Sequence, residues 1–201
     1  MLRNKCFERK GLIMPPKTIV SKTDVLNASL ELIKDEGVEK LNARNIAKRL
    51  NCSTNPLFRI YRNMEELKKD VYLEAEKYYE KYLYLRTFEN ASPFLQMGLN
   101  YIYFAKEEKK LFRFIFLSDN IEIDSFHSVA DMADSPEIIN GIANATGLDE
   151  YASKELFSNI WLLTHGIACT IATNQYPFNE DEIRNILVNS YKGILMVLKG
   201  E

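Results

Sequence analysis

The chain has 201 residues, 46% of them hydrophobic, with 26 Lys or Arg against 28 Asp or Glu and a formal net charge of −2. That length and apolar content exclude a disordered polyelectrolyte and leave room for a small helical unit plus a second core-forming unit. With no Gly-rich loop, no alternating apolar and polar runs and only six prolines, the pattern predicts an all-α protein.

The small net charge conceals two opposite parts. Residues 1–70 hold 15 Lys or Arg and 9 Asp or Glu, a balance of +6, whereas residues 71–201 hold 11 and 19, a balance of −8; the two sum to −2. A basic first third beside an acidic remainder suits a polyanion at one end only.

At the N-terminus, residues 1–17 read as a basic arm. The stretch MLRNKCFERKGLI has no signal-peptide core, so secretion is not expected and a cytoplasmic location is. Such an arm suits the minor groove or backbone of DNA. The alternative is that synthesis starts at Met14, with Glu8 to Gly11 encoded by a purine-rich stretch resembling a ribosome-binding site.

The segment 42–67 carries the strongest local signal. Ile46, Ala47 and Leu50 share one face of a short helix capped by Asn42, with Arg44, Lys48 and Arg49 outside it. After Asn51 and Cys52, Ser53 is placed to cap a second helix that turns Leu57 and Tyr61 inward and leaves Thr54, Asn55, Phe58 and Arg59 outward. Asn63 with Glu66 three residues on has the spacing of a capping box that starts a third helix. Small polar residues at the head of a helix, flanked by cations, are what groove entry requires, because base edges are read by hydrogen bonds and the backbone by charge. A plain helix pair with a solvated basic face has the same pattern.

The surrounding residues resemble the N-terminal domain of tetracycline-repressor (TetR) family transcription regulators over about Val25 to Leu67. The matching elements are Val25-Leu26-x-Ala28 and Leu32-Ile33 in a first helix ended by Gly37, then Leu41-Asn42-Ala43-Arg44-x-Ile46-Ala47. They continue through Leu50, Ser53, Leu57-Phe58-x-x-Tyr61 and Asn63-Met64-Glu65-Glu66-Leu67. The resemblance implies a three-helix DNA-binding domain at 18–63 and a helical effector-binding and dimerisation domain at 64–201. The family usually has Tyr where Phe58 stands and Lys where Met64 stands, so fewer phosphate contacts are expected here, with more weight on Arg59, Arg62 and backbone N–H groups. Thr54, Asn55 and Arg59 are expected in the groove, with Asn42, Arg44, Phe58 and Arg62 positioning the backbone.

Beyond Met64, one continuous helix is expected to reach about Arg86 and to join the two parts. Stops at Ser92-Pro93, Ser118-Asp119, Ser135-Pro136, Gly147 and Pro177 divide the remainder into about five more helices. Phe94, Met97, Tyr101 and Phe104 form one stripe, and Leu111, Phe112, Ile115 and Phe116 a short buried turn or two. Ile138, Ile139 and Ile142 mark another segment. From Leu156 to Ala172 two stripes appear: Leu156, Ile160, Leu163 and Ile167, then Phe157, Trp161, Ala168 and Ala172. One faces its own core and the other wants a partner. Polar interruptions by Asn159, Thr164 and His165 argue for a buried helix rather than a membrane span.

Ile183, Ile186, Leu187, Ser190, Ile194 and Val197 repeat that theme, so a homodimer through the last two helices is expected, with Trp161, Ala168, Ile183, Ile186 and Ile194 at its interface. The resemblance implies the same arrangement and a pseudo-palindromic operator in double-stranded DNA. It also implies a small-molecule pocket, for which Tyr101, Phe104, Phe112, Phe116, Trp161 and His165 are the candidates, although aromatic residues at helical spacing equally suit a core. Asp119 to Ser135, polar and poorly periodic, reads as a lid or loop.

Of the two histidines, His127 and His165, the second is read as satisfying a buried neighbour. Cys6, Cys52 and Cys169, odd in number and scattered, suit free thiols. No HxxxH, HExxH or CxxC spacing occurs, so neither a metal nor a cofactor is expected. No nucleophile, base and orienting group can be assembled, which argues against an enzyme. The expectation is a ligand-released repressor; the alternatives are a small helical enzyme or ligand carrier, and a ligand-independent DNA-binding regulator.

Overall fold

The computed structural model describes residues 20–118, 136–174 and 177–201, and among them the protein is all-α. Helix α1 (Lys22–Glu36), a 3-10 turn (Val38–Lys40), α2 (Ala43–Arg49), α3 (Asn55–Ile60) and α4 (Met64–Tyr82) are followed by α5 (Pro93–Glu107) and α6 (Lys109–Phe116). Then come α7 (Pro136–Thr146), α8 (Glu150–Thr173) and α9 (Glu180–Lys199). The N-terminal arm with Met14 and Cys6, the segment 119–135 and His127 within it lie outside the described residues.

Local chemistry sets most helix ends. Ser21 and Asp24 form a reciprocal capping box at α1, and Gly37 ends the helix at φ 96°, where an added Cβ would lie 2.5 Å from a Glu39 carboxylate oxygen. Only glycine fits that turn comfortably. Ser92, Asp149 and Asn179 cap α5, α8 and α9 through side-chain oxygens. Pro93 starts α5, where its missing N–H costs nothing. The expected stops at Ser92-Pro93, Ser135-Pro136 and Gly147 all fall at helix boundaries.

Helix α4 is shorter than expected: it ends at Tyr82, and Arg86 lies in the following loop. That loop is pinned to α5 by Asn100, which is fully buried. Arg86 also donates to the Tyr82 hydroxyl at 2.9 Å and pairs with Glu107 at 2.5 Å.

One buried cluster runs from α1 to α9: Val25, Leu32 and Ile33 of α1, Val71 and Ala75 of α4 and Leu111 of α6 share it with Ile171 and Ile183. The first three helices are thus seated on α4 and α6 rather than strung from a linker. Polar contacts tighten the seat. Lys34 lies 4.1 Å from the centre of the Tyr78 ring and 3.7 Å from the Glu108 carboxylate, and Lys110 donates to the Asp35 carbonyl. A second cluster, Ile139, Ile142, Leu156, Phe157 and Ile160, joins α7 to α8.

By length and composition α8 could cross a membrane, with a mean hydropathy of 1.3 over its most apolar 18 residues, but 44% of that window is buried inside the fold. It packs against α5, α7 and α9.

Candidate functional site

The unit α2–turn–α3 is assembled by a few buried residues. Ile46 and Ala47 of α2 and Leu57 and Tyr61 of α3 are buried, as expected. A six-residue helix has too few internal hydrogen bonds to stand alone, so α3 depends on this anchoring. Asn51 sits at φ 51° in the turn, a left-handed position that Asn tolerates better than most residues.

The cap of α3 differs from the expected one. The helix begins at Asn55, Thr54 occupies the cap position without a side-chain hydrogen bond, and Ser53 stands outside it. Pro56 in the first turn supplies a preset φ and needs no N–H partner. At α4, Asn63 accepts from the Glu66 N–H at 2.9 Å, but the Glu66 carboxylate takes the Arg62 N–H at 2.8 Å, one residue earlier than in a capping box.

The seven candidate DNA-contacting residues share one small region and differ in freedom. Asn55, Phe58, Arg59, Arg44 and Arg62 are exposed and Thr54 is half-buried. Phe58 keeps 50% of its surface in solvent, which is unusual for a phenylalanine without a partner. Asn42 is occupied at both ends, its oxygen accepting from the Asn45 N–H at 3.0 Å and its amide donating to the Lys40 carbonyl at 3.1 Å. Its role is therefore to hold α2 rather than to reach outward.

Electrostatics in this region is one-sided. Between Glu39 and Glu65 the sequence has no carboxylate, while Lys40, Arg44, Lys48, Arg49, Arg59 and Arg62 supply six cations. Arg49 is tied to Asp35; the guanidinium groups of Arg44, Arg59 and Arg62 have no ion-pair partner among the described residues. Unneutralised cations around outward polar side chains form a surface that a polyanion can occupy without first breaking salt bridges.

A second candidate site is a cavity of about 830 Å³ walled by α4 to α9. That size suits a drug-sized molecule. Of the six expected residues, Tyr101, Phe116 and Trp161 line it. Phe104 and Phe112 do not: both are fully buried behind the wall and in contact with each other, and Phe112 also touches Tyr101 and Phe116.

His165 also stands behind the wall, stacked on Trp161 with ring centres 4.6 Å apart and planes within 9°. One ring nitrogen lies 2.7 Å from the Tyr101 hydroxyl and the other 3.2 Å from the Cys169 sulfur. The histidine thus satisfies internal neighbours. Burial holds its pKa below the ordinary value and pushes the Cys169 thiol up, so both are held neutral near pH 7.

Sequence reading missed the α4 side of the cavity. Tyr72, Glu76, Tyr79 and Glu80 face it. Burial, with the Glu80 charge adding and Tyr72 opposing, raises the Glu76 carboxyl above its usual range. The Tyr72 phenol is pushed up to about 12, by burial first and then by Glu76. Their signal was the one-turn spacing of Glu76 and Glu80, which equally fits a solvated face.

Of the expected interface residues, Ala168 and Ile183 are already buried within the chain, Trp161 lines the cavity, and Ile194 packs on the α7–α8 cluster. Ile186, the fifth expected residue, does face outward, together with Leu162, Met196 and Val197, each 37% exposed or more. Between α8 and α9 lies a groove of about 410 Å³ formed in part by Leu162, Gly166, Ile167 and Ile186.

No protein-family model matches this chain, and no curated protein matches it. Among the described residues no group of three or more His, Cys, Asp or Glu could hold a metal ion.

Proposed function

We propose that the chain is a dimeric, DNA-binding transcriptional regulator of the TetR type, a repressor that a small molecule releases from its operator. The observation that carries this reading is the α2–turn–α3 unit. It has a buried apolar side, a carboxylate-free outer surface, and Thr54, Asn55 and Arg59 set on or beside its second helix.

The regulatory half of the reading is supported by α4. Its first turn follows the α2–α3 unit directly and its later turns wall the cavity. Release then requires a ligand that prefers the conformation in which the two reading heads are badly spaced, since equal affinity for both conformations shifts nothing. The exposed apolar residues of α8 and α9 support pairing of two copies, because a symmetric dimer buries the same patch on each.

A fluorescence-anisotropy titration with the DNA flanking the protein's own gene tests this. Site-preferring binding is expected, weakening with salt at a log–log slope of about −0.9 per phosphate contact. Equal, weak binding to every duplex at low salt would remove the regulator reading.

A further inference from the structure

The walls of the cavity carry charge unevenly. Glu76 and Glu80, one helical turn apart on α4, both line it without an ion-pair partner among the described residues; Glu76 is half-buried and bonded to the Tyr72 hydroxyl, and Glu80 is exposed. Lys192 lines the opposite side but is exposed, so its ammonium reaches water along its flexible stem. Most of the remaining wall is apolar or aromatic: Phe94 packs against Phe157 and Tyr191 with ring centres 5.9 and 6.1 Å apart, and Trp161 stands beside them.

A third feature is independent of the carboxylates. Tyr79 is wedged among Tyr101, Phe104 and Phe116 at 5.8, 5.3 and 5.0 Å, and its hydroxyl has no hydrogen-bond partner among the described residues. Burial holds this phenol well above its ordinary range. A phenol that lines a cavity is a place for a ligand atom.

These observations discriminate between ligand charges. An anion would meet two carboxylates, and a neutral molecule would leave the half-buried Glu76 with only the Tyr72 hydroxyl beside apolar walls, where a charge without a counter-ion is costly. A cation is attracted to the carboxylates and also to the faces of the aromatic rings.

We propose that the cavity binds an organic cation, with its charged centre beside Glu76 and Glu80 and an aromatic body against Phe94, Phe157 and Trp161. This rests on reading the cavity as the effector site of the regulator, and it adds the ligand's charge and shape class.

The test uses the full chain and three probes of similar shape: tetraphenylphosphonium, neutral triphenylphosphine oxide and anionic tetraphenylborate. Trp161, the single tryptophan of the chain, reports occupancy through its emission. The phosphonium is expected to bind at least about tenfold tighter than the neutral oxide, a difference of about 1.4 kcal/mol, and the borate weakest. Glu76→Gln with Glu80→Gln is expected to weaken phosphonium binding by about tenfold or more and to leave the oxide unchanged, which also shows that the variant is folded. Borate binding as tight as the phosphonium, or phosphonium affinity undiminished in the double variant, overturns the proposal.

Operator binding is read separately. Cation binding that depends on both glutamates but leaves DNA affinity unaltered counts against the regulator and not against the cavity assignment. Site-specific DNA binding without cation preference does the reverse.

Discussion

Asn100 of α5 closes a two-way clasp on the backbone of Arg86: its amide donates to the Arg86 carbonyl at 3.0 Å and its oxygen accepts the Arg86 N–H at 3.1 Å. The same amide also donates to the Gln96 carbonyl of its own helix. One buried side chain thereby satisfies both main-chain groups of a residue in the loop after α4, where no secondary structure does so.

Asn100→Ala is therefore expected to destabilise the fold. Losing partners for groups at a buried site costs about 1–3 kcal/mol, which for a protein of this size lowers Tm by roughly 2–12 °C. Differential scanning fluorimetry measures it. An unchanged Tm would mean that water replaces the clasp without loss.

Arg59→Ala is expected to weaken operator binding by about 1–3 kcal/mol at fixed salt if the guanidinium reads a base. Arg49→Ala serves as the contrast, because that guanidinium is already paired with Asp35, and a smaller loss is expected. Anisotropy titrations of both variants at one ionic strength decide; equal losses would remove Arg59 from the reading set.

His165 gives stability a pH dependence whose sign follows from its burial. Its folded pKa lies below the ordinary imidazole value of 6.5, so the unfolded chain binds the proton more readily. The contribution is complete above about pH 6.5 and is lost as pH falls from there toward the folded pKa. The depressed carboxyls of Asp24 and Glu107 act in the same direction at lower pH, below their ordinary values of 3.8 and 4.5. Urea unfolding of the native chain and of His165→Gln at pH 7.5 and 5.5 separates them. The native chain is expected to lose more stability between these two values than the variant; parallel losses would dismiss the histidine.

Ile186→Glu is expected to convert a dimer to a monomer, because it sets a charge in the apolar groove between α8 and α9, where Ile186 is 39% exposed. Light scattering coupled to size exclusion reads the mass. A dimer of unchanged mass and affinity would move the interface off this face.

Much of the fold was legible because helix ends are written locally. Ser92-Pro93, Gly147 and Gly37 carry their own stop and start chemistry, and the structure uses each of them. The cap of α3 was harder to read: Ser53 and Thr54 are both able to cap, and only the tertiary placement of Leu57 and Tyr61 decides the register. Helix α4 stops at Tyr82 rather than Arg86, and Arg86 is held in the loop by Asn100, a contact fourteen residues away that periodicity does not encode.

The cavity was half legible. Tyr101, Phe116 and Trp161 line it while Phe104 and Phe112 fill the core behind them, yet all five sit at the same kind of helical position. Hydrophobic spacing tells which way a side chain points, and it does not tell whether the space ahead is filled. Ala168 and Ile183 illustrate the same limit for the outer face, being claimed by the chain's own interior. The outward residues of α2 and α3 were easier, since short polar side chains and unpaired cations in a carboxylate-free stretch have nothing inside the fold to satisfy.

The rigidity of α4 has a mechanical corollary. Glu76 lies twelve residues beyond Met64 on that helix, a distance of about 18 Å at 1.5 Å per residue. Pivoting by about 5° around the cavity end sweeps the far end through about 1.6 Å. In a twofold assembly both arms move, so the separation of two reading heads changes by up to about 3 Å, close to the 3.4 Å rise between successive base pairs.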